Sequence, residues 1–284
     1  MFLFSLLSFG CTKRPLDLSK QEAKISVSFQ WGKLPSWDTP SDSMKLYFYG
    51  EDGNIYIKDA TSDGFAGTIP PQTYNILAVN TDSKGVEYKD LDNYHIARVI
   101  SKSEPPSITQ PEAGLCPPER VYATSLGNVI ITNEQEQHLF LSPEEYSKKA
   151  IIKFVLSGDI SLIQTCQAEI SGLSSGFKLY NGELFNNDEY PTNLIIDNVN
   201  TSEFELSTSF FGVAPSYNDS KLTLSLIFSD GHKKTLDIDA SDVFKNIALA
   251  VKVSIYIDVF KEAEGSFNAR IKSWIVTNEN IILK

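Results

Sequence analysis

Hydrophobic and polar residues alternate with a period of two along most of the chain, which is the pattern of β-strands that bury one face. In the segment KISVSFQW, Ile25, Val27, Phe29 and Trp31 fall on one side and polar residues on the other. Similar runs recur about every 8–12 residues between turn-forming residues, the spacing found in sandwiches and barrels. The sequence therefore predicts an all-β protein.

The predicted strands form two sets. The first set occupies residues 24–141 and the second residues 147–284, with SPEEYSKKA between them, where Ser142 and Pro143 favour a short helix. A proline-rich segment, residues 101–120, interrupts the first set, and we interpret it as a crossover loop because proline cannot join a central strand. Chain length and pattern favour two tandem β-sandwich domains over these ranges, with one large β domain as the alternative.

The segment GTIPPQTYNILAVN differs from the other predicted strands. Pro70 and Pro71 stiffen its entry, and the run after Gln72 is apolar at both alternating sets of positions. A strand that is apolar on both sides is typical of one that is buried on both faces. We therefore predict that both faces of this strand are buried.

Composition narrows the classes of partner. Hydrophobic residues make up 42% of the 284 positions, enough for a packed core, and the formal net charge is -11. The chain has no cluster of Lys and Arg interleaved with aromatic residues, so we do not expect nucleic acid as a partner. The negative charge also argues against electrostatic coating of an anionic membrane.

The N-terminal segment MFLFSLLSFGC is an apolar run that ends in a small residue and a cysteine. It is shorter than the roughly 20 residues that span a bilayer and fits the apolar region of a secretory signal. Gly10–Cys11 resembles the lipobox of bacterial lipoproteins, which makes residues 1–11 a signal peptide and Cys11 the lipidated residue. Ser8 stands where Leu is usual, and no Lys or Arg precedes the run. A buried N-terminal strand or helix is the alternative.

Two motifs suggest chemistry that their context does not support. GLSSG matches the nucleophile-elbow pattern with Ser174 as nucleophile, but a predicted hairpin follows it instead of a helix, and His232 in a turn is the one downstream histidine. DIDASD supplies Asp237, Asp239 and Asp242, yet the Gly and Glu that a calcium loop requires are missing. We interpret these carboxylates as outward strand residues followed by a helix cap at Ser241, and we predict no enzyme activity, cofactor or metal site.

Cys116 and Cys166 remain after Cys11. In an exported protein such a pair forms a disulfide in many cases, and two free thiols are the other possibility. Their spacing is not that of a metal site, which takes paired Cys or His residues two to four positions apart.

Several segments, in the order in which they occur, resemble the fimbrillin-like lipoproteins of Bacteroidales, including their FimB-like anchor and accessory subunits. GTIPPQTYNILAVN is similar to the LPPGTY stretch of that family, with Gln72 in place of Gly. ISVSFQW and MKLYFYGEDGN resemble its first hairpin, CPPERVYAT its segment after the long loop, and ISGLSSGFKL its second-domain turn. FFGV, LTLSLIFSDGHKKTLDIDASD and IKSWIVTNENIIL also fit, so the likeness extends from about Ile25 to Leu283.

The resemblance implies two tandem β-sandwich domains of transthyretin-like topology. It also implies a non-enzymatic lipoprotein at the surface of the cell outer membrane, lipid-anchored, that anchors or assembles fimbriae with other fimbrial subunits as its partners. Such a subunit needs a strand edge or groove that accepts a neighbouring strand, since main-chain pairing gives affinity and alternating pockets give register.

The final run, SFNARIKSWIVTNENIILK, is the candidate contact because a terminal strand can be donated without cutting a loop. We expect its apolar residues to fill core or groove positions: Ile271, Trp274, Val276, Ile281 and Leu283. One alternative is that this run merely closes a complete sandwich. The alternative function is a surface glycan-binding lipoprotein that uses exposed Trp or Tyr platforms.

Overall fold

The computed structural model describes residues 22–32, 34, 39–104, 114–158, 160–185, 192–197, 202–214, 220–245, 250–261 and 267–278. Residues 22–145 are called the first half below. Its strands are β1 (Ala23–Phe29), β2 (Met44–Gly50), β3 (Ile55–Ala60), β4 (Gly64–Ile69), β5 (Thr73–Asn80), β6 (Val86–Lys89), β7 (Arg98–Ser101), β8 (Ser103–Glu104), β9 (Gly114–Leu115), β10 (Tyr122–Ile130), β11 (Gln137–Leu141) and β12 (Glu144–Glu145).

Residues 148–278 form the second half. Its strands are β13 (Lys148–Gly158), β14 (Ile163–Ile170), β15 (Gly176–Lys178), β16 (Leu184–Phe185), β17 (Thr192–Asp197), β18 (Glu203–Phe210), β19 (Lys221–Phe228), β20 (Lys233–Asp239), β21 (Ala250–Lys261) and β22 (Phe267–Asn278). A 3-10 turn covers Ile160–Leu162, and the α-helix α1 covers Ser241–Lys245. The all-β prediction is confirmed.

The predicted helix in SPEEYSKKA is wrong. Glu144 and Glu145 form β12 and pair with Ala123 and Tyr122 of β10, and β13 begins three residues later. Isolated helices shorter than about 12–15 residues are marginal in water, so a nine-residue helical signal yields to strand pairing. Tyr146 adds to the extended conformation, because its ring stacks on Phe177 with the centroids 4.1 Å apart.

Each half contains a two-sheet sandwich of the same topology. In the first half, the sheet β11-β1-β4 packs on β12-β10-β5-β2-β3; in the second half, β18-β13-β21-β22 packs on β17-β14-β19-β20. The initial strand of each half pairs in parallel with a strand about a hundred residues later, β1 with β11 and β13 with β21. The strand β22 has no counterpart in the first half, where no described strand covers the outer edge of β11.

The strand β5 is buried on both faces, as its apolar pattern predicts. Tyr74, Ile76 and Ala78 belong to the core between the two sheets of the first half. Leu77 and Val79 face the other way and join a different cluster, called the shared core here. Its buried members are Tyr47, Leu77, Val79, Val86, Ala97, Val99, Val121, Ala123, Phe177, Leu179 and Phe211.

The shared core is closed by a sheet that contains strands from both halves, in the order β16-β15-β7-β6. The strand β15 pairs antiparallel with β7, which places Phe177 opposite Val99 and Gly176 opposite Ile100. The main chain adds hydrogen bonds on both sides of this ladder, from Ser101 N to the Ser175 oxygen at 2.7 Å and from Leu179 N to the Ala97 oxygen at 2.9 Å. The division into domains at residues 141–147 stays a prediction, and the β15–β16 hairpin packs against the first half.

The asparagine at the end of β5, Asn80, is fully buried and joins three segments. Its Nδ2 donates to Asp82 Oδ1 and to the Arg120 carbonyl, each at 2.6 Å. Its Oδ1 accepts from Tyr122 N at 2.7 Å and from Ser83 Oγ at 3.0 Å. One amide thus ties β5 to the turn that follows it and to the start of β10.

The two described cysteines are free thiols. Cys166 lies in the core of the second half, and burial raises its pKa to about 12. Because the thiolate is the reactive form, Cys166 is an inert packing residue. Among the helices that the structure describes, we find none whose length and apolar character would suit a membrane span.

Candidate functional site: the groove between β20 and β22

The strand β22 lies at the edge of its sheet and pairs on one side with β21. Trp274 stands opposite Ile255 and Val276 opposite Val253, and both partners are buried in the core. Opposite residues of an antiparallel pair lie on the same face of the sheet, so Trp274 and Val276 belong to the inward face. Both are nevertheless 39% exposed, because the facing sheet does not cover this end of β22.

A β-bulge sets this arrangement. Ile257 pairs with Ile271 and Tyr256 with Ser273, so Lys272 is an extra residue in the ladder. With strict alternation, Ile271 and Trp274 would point to opposite faces, whereas the bulge brings both onto the inward face. Along that face burial falls from Ala269, which is fully buried, through the half-buried Ile271 to the exposed Trp274.

The opposite wall comes from β20 and the start of α1. A groove of about 520 Å³ lies between the two edge strands, lined by Asp237, Ile238, Asp239, Asp242, Ile271 and Trp274. We call this the β20–β22 groove. Its floor is apolar and its rim carries three carboxylates, a combination suited to an extended segment with apolar residues inward and basic residues at the rim.

The rim is locally ordered by hydrogen bonds. Lys221 Nζ lies 2.6 Å from Asp237 Oδ2, and this hydrogen bond, with a second from Thr223, holds the pKa of Asp237 below its usual value. Asp239 Oδ1 accepts from Ser241 N at 3.0 Å and from Ser241 Oγ at 2.7 Å, which fixes the start of α1. Asp237 and Asp239 lie on β20, as predicted. Asp242 lies in α1 instead, and the predicted cap at Ser241 is wrong, because Ser241 is the first residue of the helix and both its N and its Oγ donate to Asp239.

On the outer face, charges attach β22 to β21. Arg270 Nη2 and Nε lie 3.0 and 3.2 Å from Asp258 Oδ2, and Lys272 Nζ lies 3.3 Å from Asp258 Oδ1. Solvent-exposed pairs of this kind contribute little individually, about 0–1 kcal/mol each. Together they favour the pairing of β22 with β21, and they leave the inward, groove-facing side of β22 uncovered.

The structure brings together three of the predicted contact residues, Ile271, Trp274 and Val276, on the inward face of β22. Ile281, Leu283 and the predicted lipidation residue Cys11 lie outside the described residues. The carboxylates of β20 and the residue Ile238 were not predicted to belong to the same site. The signal for them was present in the charge of DIDASD, but only the tertiary fold shows that β20 faces β22.

The apparent nucleophile elbow is a buried turn. Ser174 is 2% exposed, and its Oγ lies 2.7 Å from the Gly176 carbonyl oxygen and 2.6 Å from that of Phe185. The main chain of the turn bonds to the segment after β18, with Ser174 N donating to the Gly212 oxygen at 2.8 Å. Within the described ranges, no group of three His, Cys, Asp or Glu side chains could hold a metal ion.

Comparison with solved structures identifies the same fold in proteins from Bacteroides and Porphyromonas. A candidate adhesin from Bacteroides ovatus ATCC 8483 superposes with a TM-score of 0.67 at 14% identity, over 92% of this chain and 97% of that one. The fimbrial anchor protein Mfa2 from Porphyromonas gingivalis gives 0.53 at 10% identity, over 92% and 99%. A candidate polysaccharide-binding protein from Bacteroides thetaiotaomicron VPI-5482 gives 0.52 at 11% identity, over 93% and 100%.

These similarities show a shared fold, the one that the resemblance to fimbrillin-like lipoproteins implies. A search of curated protein sequences returned no match. The family model described as "Domain of unknown function (DUF5119)" matches residues 10–194, which is more than half of the chain. The chain therefore belongs to the DUF5119 family.

Proposed function

We propose that this protein is a non-enzymatic cell-surface subunit of a fimbrial or adhesive assembly, of the anchor or accessory kind, and that it binds a neighbouring subunit by β-strand addition. The observation that carries the proposal is the open inward face of β22, where Trp274 and Val276 remain exposed beside the β20–β22 groove. Fimbrial anchor and adhesin proteins among the structural neighbours support the same class of function.

A neighbouring strand at this position would gain two kinds of interaction. Its main chain would bond to the outer edge of β22 or β20, for which no partner strand is found among the described residues. Its apolar side chains would cover Trp274 and Ile271, and each buried apolar side chain contributes about 1.5–3 kcal/mol. Because three carboxylates stand at the rim, we expect Lys or Arg at the outward positions of the incoming strand.

The two halves also differ in a way that suits assembly. The second half carries the additional strand β22, and the corresponding edge of the first half, along β11, has no described partner. Phe140 on β11 is 60% exposed. A second open edge gives the subunit another place at which a strand from a neighbour can add.

The groove can be tested with a pair of substitutions on adjacent residues. Full-length tagged protein, extracted in mild detergent from cells that assemble the fimbriae, is captured, and co-purifying pilus subunits are quantified by mass spectrometry. Trp274→Ser, on the inward face, is expected to reduce their recovery about tenfold, since it removes the largest apolar surface of the groove. Ile275→Ser, on the outward face and 53% exposed, is expected to leave recovery unchanged.

Equal recovery with the two variants would exclude the groove as the contact. If the wild-type chain captures no pilus subunit, the assembly function itself is wrong. Because both substitutions remove an exposed apolar residue from the same edge strand, their melting temperatures serve as matched controls for folding.

Attachment to the outer membrane through Cys11 is a further part of the proposal, based on the apolar run and the Gly10–Cys11 junction. Stable attachment requires more than one acyl chain, since each buried methylene contributes about 0.8 kcal/mol. We expect Cys11→Ala to move the protein from the membrane fraction to the soluble fraction or to mislocalise it. A variant that stays in the membrane fraction with unchanged electrophoretic mobility would show that Cys11 is not the anchor.

A further inference from the structure

A second concave site lies in the first half, separate from the β20–β22 groove. It is a cleft of about 280 Å³ among the β2–β3 turn, the start of β5, the turn before β7 and the bulge of β10. Its principal lining residues are Tyr49, Asn75, Asp92, Tyr94, His95 and Asn128. We call it the Tyr49–Tyr94 cleft. Its volume is just below the range of about 300–1,000 Å³ that is usual for pockets that hold drug-sized ligands.

The aromatic side of the cleft is held in place by its neighbours. The ring of Tyr94 packs edge to face on Tyr49 at 5.5 Å and on His95 at 5.2 Å, and Tyr180 from the second half lies 5.8 Å away. The Tyr49 hydroxyl donates to the Leu91 carbonyl at 3.0 Å. Tyr94 nevertheless stays half-exposed, so the cleft presents a fixed aromatic surface whose ordering costs nothing at the moment of binding.

The wall formed by the β2–β3 turn is equally well ordered. Asp52 Oδ1 accepts from Asn54 N at 3.0 Å, Asp52 Oδ2 accepts from Asn54 Nδ2 at 2.7 Å, and these bonds lower the pKa of Asp52 to about 2. Gln72 Oε1 accepts from Asp52 N at 3.1 Å, so the residue that replaces the usual Gly of the family stretch ties the turn to the entry of β5. The wall therefore keeps its shape without a ligand.

The polar side of the cleft carries side-chain amide groups that can still donate hydrogen bonds to a ligand. Asn75 Oδ1 accepts from Asn128 N at 3.0 Å, and Asn93 Oδ1 accepts from His95 N at 3.1 Å. In the part of the chain that the structure describes, no hydrogen bond uses Nδ2 of Asn75 or Asn93, or the side-chain amide of Asn128. The bulge of β10 places Asn128, at φ 56°, on the cleft. Bulges are frequent next to binding sites.

This combination fits the chemistry of a sugar. The face of a pyranose ring carries C–H groups that stack on an aromatic ring, and its edge carries hydroxyls that both donate and accept. Amide donors and the Asp92 carboxylate can bind such hydroxyls in pairs. Glu51 and Asp92 line the cleft without any Lys or Arg among its lining residues, which disfavours sugars that carry a negative charge.

We propose that the Tyr49–Tyr94 cleft binds a neutral saccharide of one or two sugar units, with one ring stacked on Tyr94 and its hydroxyls bound by the amides and carboxylate. The cleft shares no lining residue with the β20–β22 groove. Saccharide binding can therefore be tested independently of the assembly function. The protein would then attach to a glycan through its first half and to another subunit through its second half.

The test uses full-length protein on an array of neutral and acidic oligosaccharides, followed by calorimetric titration with the neutral oligosaccharide that gives the strongest signal. Tyr94→Ala is expected to weaken binding about tenfold or more, because it removes the stacking surface. Asn128→Gly removes the side-chain amide and keeps the positive φ that Gly adopts readily, so it is expected to weaken binding without loss of folding. Ile275→Ser, on the outward face of β22 and outside the lining of the cleft, is expected to bind like the wild type.

The proposal is overturned if no neutral oligosaccharide binds, if acidic oligosaccharides bind in preference, or if Tyr94→Ala and Asn128→Gly bind like the wild type. Should Tyr94→Ala fail to fold, Asn128→Gly decides the question alone. Recovery of pilus subunits by the same two variants is expected to be unchanged, which separates this site from the assembly contact.

Discussion

Asn80→Leu is expected to lower the free energy of unfolding by about 2–4 kcal/mol, although the substitution keeps the number and branching of the side-chain heavy atoms and makes the side chain more apolar. The reason is the main-chain donor Tyr122 N, which is buried and bonded to Asn80 Oδ1 at 2.7 Å. A buried donor left without its acceptor costs about 1–3 kcal/mol, and the link to Asp82 is lost as well. The measurement is urea-induced unfolding, followed by circular dichroism.

A second substitution at the same position separates the two roles of the amide. Asn80→Asp keeps an acceptor for Tyr122 N but places a carboxylate against Asp82 and the Arg120 carbonyl, so it too is expected to destabilise. Asn54→Ala, at an exposed turn, is the control and is expected to cost less than about 1 kcal/mol. If Asn80→Leu has the same urea midpoint of unfolding as the wild type, the hydrogen bonds of the Asn80 amide do not stabilise the fold.

Gly176→Val is the second large effect that we expect, a loss of about 3 kcal/mol with separation of β15 from β7. A Cβ atom at Gly176 would lie 2.2 Å from the Val99 carbonyl oxygen and 2.6 Å from Cζ of Phe185. Because the nearest atom belongs to the backbone of the paired strand, no side-chain rotation can relieve the clash. Overpacking of this kind costs about 1–3 kcal/mol and occasionally more.

The matched control is Gly32→Val, since a Cβ at Gly32 would meet nothing within 4 Å and the backbone there requires no positive φ. Thermal unfolding of both variants, with tyrosine fluorescence as a probe of the shared core, distinguishes them. Identical melting temperatures would contradict the close approach of β15 and β7 and, with it, the sheet that joins the two halves.

The strands were predictable because the period-two pattern depends on burial of one face, which the sequence records directly. The two-sided burial of β5 was predictable for the same reason, since Leu77 and Val79 are as apolar as Ile76 and Ala78. The Asn181–Gly182 turn of the β15–β16 hairpin was also recognisable. Its partner strand was not, because Phe177 carries no sign that it packs beside Val99 in the other half of the chain.

The candidate site was only half predictable. Ile271, Trp274 and Val276 were recognisable as apolar residues of one terminal run, but strict alternation assigns Ile271 and Trp274 to opposite faces. Only the bulge at Lys272 puts Ile271 and Trp274 on the same side of the strand, and no residue in the sequence indicates that bulge. Two of the three rim residues, Asp237 and Asp239, were interpreted correctly as strand carboxylates, whereas Asp242 lies in α1. The position of this rim opposite β22 depends on a sheet order that arises from long-range pairing.

The parallel pairing of β1 with β11 and of β13 with β21 has a consequence for the order of folding. Neither half can complete its sheet until a strand about a hundred residues later has been made, and such non-local pairing slows folding because loop closure precedes any gain from contacts. The first half is completed later still, because the sheet that closes the shared core needs β15 from the second half. During synthesis from the N-terminus, the apolar surface around Val99 would therefore stay exposed until β15, which ends at residue 178, has been made. The risk of aggregation is greatest in this interval.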